Sequence, residues 1–143
     1  MFSAGEVNEL LGGGKGGEWD VEDLRRHTHY SGGYSDSSRT CRHFFSAVDA
    51  MAAPDRALLL RFVTSCPRPP LGGFRDLTPP FTLHKVDEEA SVFATLGGAD
   101  VSRLPSASTC FNMLKLPNYR RAGTLRDKLL YAIRNNTSGF ELS

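Results

Sequence analysis

The apolar residues in the middle of the chain recur at helical spacing. Offsets of three and four residues predict an amphipathic helix that begins near residues 36–38. Pro54 suits the first turn of a second helix, which we expect to end before Pro67. The apolar positions are Cys41, Phe44, Phe45, Val48 and Met51 in the first helix and Leu58, Leu59, Phe62 and Val63 in the second. We expect the two helices to form a hairpin, with Cys41 in the core.

The first thirty residues predict two short helices separated by glycine. Ser3 and Glu6 form a capping box for a helix that ends near Leu11. Asp20 can cap a second helix that runs to about Arg26. Between the two helices, five of six residues lack a side chain, which favours a mobile tether over a packed element. These residues are Gly12, Gly13, Gly14, Gly16 and Gly17.

Two extended runs are predicted in the second half of the chain. The first covers residues 81–86, where Phe81 and Leu83 share a face. The second covers residues 110–116, so Cys110 lies where a loop becomes a strand. Between them, residues 87–102 show no sustained period and predict a surface excursion.

A final helix completes the predicted elements. Thr124 with Asp127 can cap it, and Gly139 can end it. Its apolar face consists of Leu125, Leu129, Ala132 and Ile133. Helices interspersed with short strands predict a small α+β domain in which the helices pack on a short sheet.

Composition restricts the function classes further. The 143 residues contain 17 Lys and Arg against 16 Asp and Glu, so no basic excess points to nucleic acid or to an anionic membrane. No run approaches the ~20 apolar residues that a membrane span needs, and no secretory signal is evident, so we expect a cytoplasmic protein. The three cysteines are far apart in sequence, which favours free thiols.

Several motifs occur in order along the chain: Leu-Pro-Ser-Ala-Ser-Thr-Cys-Phe-Asn at 104–112, Leu-Lys-Leu-Pro-Asn-Tyr at 114–119 and Gly-Phe-Glu-Leu-Ser at 139–143. Together with the segments at 27–34 and 61–71, they resemble the C-terminal lobe of HECT ubiquitin-protein ligases, and within that family the IQ-motif-bearing subfamily. The resemblance therefore covers most of the chain.

The resemblance implies a role for Cys110 as the acceptor that takes ubiquitin from a conjugating enzyme as a thioester and passes it to a lysine of a protein substrate. The resemblance also implies that Phe140 anchors the tail. From their position, Thr109 and Asn112 either support the site by hydrogen bonds or merely finish the turn. As a hypothesis, the carboxylate of Glu141 or of the terminus at Ser143 orients the incoming lysine. The resemblance implies no cofactor and no metal ion.

The same resemblance divides the chain into three parts. Residues 1–11 match the last helix of the N-terminal lobe, residues 12–17 the hinge between the lobes, and residues 18–143 the C-terminal lobe. The surface that docks the conjugating enzyme belongs to the missing N-terminal lobe, so we expect either a fragment or a product that cannot easily charge itself. Many relatives have histidine where this chain has Ser108, so a base for Cys110 must come from elsewhere.

Three alternatives compete with this interpretation. His27, His29, Cys41 and His43 are acceptable zinc ligands, although Cys41 and His43 are two apart in a predicted helix and point in different directions. A cysteine hydrolase would need a histidine beside Cys110, for which His84 is the best candidate. The chain could also bind ubiquitin or a target without catalysis, through exposed side chains such as Phe111 and Met113.

Overall fold

A computed structural model describes residues 19–86 and 103–135, in which the chain forms four α-helices and a four-stranded sheet. The helices are α1 (Val21–Arg26), α2 (Arg39–Ala50), α3 (Ala53–Thr64) and α4 (Ala122–Asn135), and the strands are β1 (His29–Ser31), β2 (Thr82–Lys85), β3 (Ser106–Ser108) and β4 (Met113–Leu116). The predicted helix at 3–11, the glycine tether, the excursion at 87–102 and the end of the last helix at Gly139 lie outside the described residues.

The predicted helices α1, α2 and α3 are confirmed. The Asp20 carboxylate caps α1 by accepting a hydrogen bond from the backbone N–H of Glu22 at 3.0 Å. The predicted stripe of α2 is buried at Cys41, Phe44, Phe45 and Val48. Helix α3 carries Pro54 in its first turn and ends at Thr64, before Pro67 as expected.

The predicted hairpin of α2 and α3 is wrong. Each of these helices packs mainly against α4 rather than against the other. The two residues that join them, Met51 and Ala52, both have extended backbone torsions, which end the first helix before the second begins. The carbonyls at the end of α2 are capped by a side chain of α3. The guanidinium of Arg56 donates to the carbonyls of Val48 and Asp49 at 3.0 and 2.9 Å.

The sheet has the strand order β1-β2-β4-β3. Strands β1, β2 and β4 are parallel, with Leu83 of β2 opposite Leu114 of β4, and β3 is antiparallel to β4. Because parallel strands run in one direction, β1, β2 and β4 all begin at the same edge of the sheet, which we call the starting edge. The connections that enter this edge therefore lie near one another.

Three details of the strands differ from the sequence expectation. The second extended run begins at Met113 rather than at Cys110, because residues 109–112 form a loop. The small polar stretch before that loop is itself a strand, β3, since its backbone pairs with β4. The three-residue strand β1 was not predicted at all.

One hydrophobic core lies between the sheet and the helices. The ring of Phe44 in α2 stacks on that of Phe81 beside β2, with centroids 6.1 Å apart. The predicted face of α4 is buried at Leu125, Leu129, Ala132 and Ile133, although the helix begins at Ala122, before the predicted cap at Thr124. The α+β architecture is confirmed. None of the described helices is long and apolar enough to span a membrane.

Candidate active site

Cys110 lies at the exposed tip of the loop that joins β3 to β4. The strands close the loop through the pair Ser108 and Met113, which leaves four residues, 109–112, between them. The N–H of Phe111 donates to the carbonyl of Ser108 at 3.1 Å, and the N–H of Asn112 donates to the carbonyl of Thr109 at 3.4 Å. We call residues 109–112 the acceptor loop. Two overlapping turns thus fold it back on itself and point it away from the core.

The last residue of the acceptor loop is buried and fixed to the neighbouring strand. Asn112 has a positive φ of 51° and is 6% exposed. Its side-chain Nδ2 donates to the carbonyl of Pro79 at 2.6 Å, and its own carbonyl accepts from the N–H of Thr82 at 3.0 Å. The base of the loop is therefore tied to the segment that leads into β2.

That segment is in turn tied to the first helix. The Asp23 carboxylate of α1 accepts a hydrogen bond from the N–H of Phe74 at 2.9 Å. Gly73 has a φ of 100°, and a Cβ at this position would lie 2.9 Å from Oδ2 of Asp23. Helix α1, the segment 73–81 and the acceptor loop enter the sheet at the starting edge, and these hydrogen bonds join all three.

The thiol itself is open to solvent. Cys110 is exposed, and no described side chain forms a hydrogen bond with its sulfur. Its neighbours Thr109 and Phe111 are also exposed, and Phe111 leaves 60% of its surface accessible. A large macromolecular thioester can therefore approach this sulfur without displacing protein groups in the described part of the chain.

A shallow groove of about 520 Å³ lies at the other end of β3. It is lined by Leu104, Thr124, Asp127, Lys128 and Tyr131. Leu104 and Tyr131 are among the exposed large apolar side chains of the described residues. Strand β3 spans three residues, or about 10 Å, between this groove and the acceptor loop. The sequence analysis did not identify the groove, because its walls are twenty residues apart in the chain.

His84 does not meet Cys110. It lies in β2, where its Nδ1 is 2.8 Å from the hydroxyl of Ser31 in β1, on the side of β2 opposite β4. No hydrogen bond joins His84 to Cys110. The structure therefore gives no support to the cysteine–histidine pair that a hydrolase would require.

The other cysteines occupy different environments. Cys41 is buried in the core, and this burial raises the pKa of its thiol to about 12. Cys66 is exposed in the loop after α3. Cys66 and Cys110 are thus the two accessible thiols.

The remaining candidate residues are dispersed or lie beyond the described part of the chain. His27 places Nδ1 2.9 Å from the Asp23 carbonyl, and in residues 19–86 and 103–135 no three His, Cys, Asp or Glu side chains are arranged to hold a metal ion. The predicted hinge glycines and the tail residues fall outside the described residues; these are Gly12, Gly13, Gly14, Gly16, Gly17, Phe140, Glu141 and Ser143.

The chain is similar to known proteins along its whole length. The sequence model of the family described as HECT-domain (ubiquitin-transferase) matches residues 1–143. Human Ubiquitin-protein ligase E3B is 45% identical over 157 aligned residues, which cover 100% of the chain and 14% of that protein. The E3 ubiquitin-protein ligase HUL5 of Saccharomyces cerevisiae is 38% identical over 143 residues, with 100% and 14% covered.

A further relative is the E3 ubiquitin-protein ligase TRIP12 of Danio rerio. It is 39% identical over 142 residues, which cover 99% of the chain and 7% of that protein. The chain thus spans only 7 to 14% of the length of these three relatives. The matches confirm the resemblance that the motifs predict, and the match to E3B fits the predicted IQ-motif-bearing subfamily.

Proposed function

The chain belongs to the HECT-domain family of ubiquitin transferases, and on this premise we propose that Cys110 accepts ubiquitin as a thioester and passes it to a lysine of a protein substrate. One observation carries the proposal. Cys110 is an exposed thiol at the tip of a loop whose base is fixed by hydrogen bonds. A thiol of this kind can face a large donor and then a large acceptor.

The proposed reaction has two steps. In the first, the Cys110 thiolate attacks the carbonyl carbon of the ubiquitin C-terminus, a new C–S bond forms, and the C–S bond to the conjugating enzyme breaks. The departing thiolate takes up the proton that Cys110 lost. In the second step a lysine amine attacks the same carbon, the amide bond forms and the bond to Cys110 breaks. The departing Cys110 thiolate takes up the proton that the amine gives up.

The absence of a hydrogen-bonded base beside Cys110 in the described residues is compatible with this chemistry. A free cysteine is a few per cent thiolate near neutral pH, and the donor is already activated as a thioester. Exchange of one thioester for another is nearly balanced in free energy, so the protein contributes mainly by positioning. Well-oriented reactants can gain about 7–11 kcal/mol in this way.

The groove beside β3 is the proposed contact for ubiquitin. The thioester requires ubiquitin to cover the surface around Cys110, and a folded partner reaches beyond a loop of four residues. Leu104 and Tyr131 present apolar surface within about the 10 Å length of β3. Exposed apolar groups that line a groove are typical of protein contacts.

The remaining proposals extend to the parts of the chain outside the described residues. Residues 12–17 would act as a hinge that lets residues 18–143 turn Cys110 between donor and substrate. Phe140 would anchor the tail, and Glu141 or the carboxylate of Ser143 would orient the lysine. We place the protein in the cytoplasm, where the conjugating enzyme and the substrate would meet it.

The test is a single-turnover assay with two ubiquitin donors. One donor is a conjugating enzyme loaded with ubiquitin, and the other is a thioester of ubiquitin with a small thiol, which needs no docking surface for an enzyme. We expect an adduct on this chain that a reducing thiol removes, and we expect Cys110→Ala to abolish it. Cys66→Ala is the matched control, because Cys66 is the other exposed thiol.

The outcomes separate the competing functions. An adduct that survives in Cys110→Ala and disappears in Cys66→Ala would contradict the assignment of the acceptor. No adduct from either donor, together with saturable ubiquitin binding, would favour a chain that binds without catalysis. Hydrolysis of the small thioester without an accumulated adduct would favour a hydrolase.

A further inference from the structure

Asn112 makes three hydrogen bonds at the base of the acceptor loop. Its N–H reaches the carbonyl of Thr109, its side-chain Nδ2 reaches the carbonyl of Pro79, and its carbonyl accepts from Thr82. We propose that Asn112 is a positioning residue, which holds Cys110 in the direction from which the ubiquitin thioester arrives. This inference rests on the proposed function of Cys110.

Two demands on position 112 select asparagine. The backbone lies in the left-handed region at φ 51°, which asparagine tolerates better than most residues with a side chain. The second demand is a side-chain donor for the Pro79 carbonyl, because this hydrogen bond is partly buried and the loss of a partner there is costly. Glycine would meet only the first demand. Aspartate would meet the first and turn an acceptor oxygen toward an acceptor carbonyl.

The tie matters because little else holds the acceptor loop. Thr109, Cys110 and Phe111 are all exposed, and none of them belongs to the hydrophobic core. Apart from its turn hydrogen bonds, the described links of the loop to the rest of the domain are its two flanking strands, β3 and β4, and the bonds of Asn112. When positioning is the main contribution to rate, a displacement of 1 Å can cost about 10²-fold.

The hydrogen bond from Asn112 to Pro79 also links the acceptor loop to helix α1. Pro79 belongs to the segment 73–81, and Phe74 at its other end is bonded to Asp23 of α1. Asn112 therefore fixes Cys110 relative to α1 as well as to the sheet. A loop released from Pro79 would lose this link to α1.

The decisive variants are Asn112→Gly and Asn112→Asp. Glycine and aspartate both tolerate the positive φ at this position, and both lack the side-chain N–H that donates to the Pro79 carbonyl. In single turnover over a range of donor concentrations, we expect the maximal rate to fall about 10²-fold. The donor concentration at half-maximal rate should stay within about twofold, because the surface that binds ubiquitin is unchanged.

A second readout distinguishes positioning from a general loss of structure. In a Cys66→Ser background, Cys110 is the only exposed thiol, so its alkylation by iodoacetamide reports access and intrinsic reactivity. We expect alkylation in the Asn112 variants to be as fast as in the wild type or faster, while ubiquitin transfer is slow. A purely structural defect would instead be relieved by assaying well below the melting temperature.

Asn135→Asp is the matched control. Its side chain also donates to a backbone carbonyl, that of Tyr131 at 2.8 Å, but it is exposed at the end of α4. Transfer at the wild-type rate in Asn112→Gly would overturn the positioning role and leave the proposed function intact. A wild-type chain that takes ubiquitin from neither donor would instead contradict the proposed function.

Discussion

Arg134 of α4 forms a two-point ion pair with Asp55 of α3. Nε lies 3.0 Å from one carboxylate oxygen and Nη2 lies 2.8 Å from the other. The hydrogen bond from Arg134 holds the pKa of Asp55 below its ordinary value. The two residues are 79 positions apart in the sequence, and their ion pair attaches the end of α4 to α3.

We expect Arg134→Gln to lower the melting temperature slightly in low salt and hardly at all in about 1 M salt, where exposed charges are screened. Because the pKa of Asp55 is depressed on folding, this stabilisation is present above the unfolded pKa and is lost as pH falls through the folded one. Calorimetry at several salt concentrations and pH values measures both effects. Arg126→Gln is the control, since the ion pair of Arg126 is with Asp127, its neighbour on the same helix. A salt-independent loss would contradict the electrostatic origin.

Alkaline pH should destabilise the domain through Cys41. Burial raises the pKa of this thiol from an ordinary 9.0 to about 12. Above pH 9 the unfolded chain releases this proton while the folded chain keeps it, so the free energy of unfolding falls as pH rises toward 12. Urea unfolding of Cys41→Ala should show a shallower decline in this range, whereas Cys66→Ala should follow the wild type. Parallel curves for all three proteins would refute the prediction.

Gly73→Ala should detach the segment 73–81 from α1. The φ of 100° strains any residue with a Cβ, and that Cβ would press against the Asp23 carboxylate. We expect a loss of about 1–3 kcal/mol in the free energy of unfolding. Gly123→Ala is the control, because a Cβ there meets no atom within 4 Å and alanine favours the helix. Equal stability of the two variants would show that the contact of the Asp23 carboxylate with residues 73 and 74 does not stabilise the domain.

Truncation of the groove should weaken ubiquitin binding without slowing the chemical step. For Leu104→Ala and Tyr131→Ala we expect the half-saturating concentration of the small-thiol donor to rise several-fold and the maximal rate to hold. Leu71→Ala is the control, because Leu71 is 88% exposed and lies outside the groove. An equal effect of all three substitutions would exclude the groove as the contact.

His84→Ala should leave ubiquitin transfer unchanged. The imidazole forms a hydrogen bond with Ser31 and none with Cys110, so its removal affects the contact between β1 and β2 rather than the thiol. The single-turnover rate of the variant, measured below its melting temperature, tests this. A hundredfold loss of rate with an unchanged fold would revive the hydrolase hypothesis.

The helices could be predicted from the sequence because their apolar residues repeat over three turns. The buried faces of α2 and α4 follow that period, and Cys110 was identified from the motif around it. The strands β1 and β3 have three residues each, which is too short to show an alternation. Their pairing is decided by backbone groups that every sequence possesses.

The contacts that shape the site were also beyond sequence reasoning. Asn112 and Pro79 are 33 residues apart, and no local sequence pattern predicts their hydrogen bond. The packing of α2 and α3 on α4 likewise depends on a helix that follows both by more than fifty residues. Such contacts are properties of the assembled chain.

The strand order has a kinetic consequence. The hairpin that β3 and β4 form around the acceptor loop needs only local contacts, because four residues separate its strands. The pairing of β1 with β2, however, joins residues more than fifty positions apart, and long-range parallel pairing is slow to form. We therefore expect the hairpin to appear early in folding and Cys110 to gain its fixed orientation only when the last parallel pair closes.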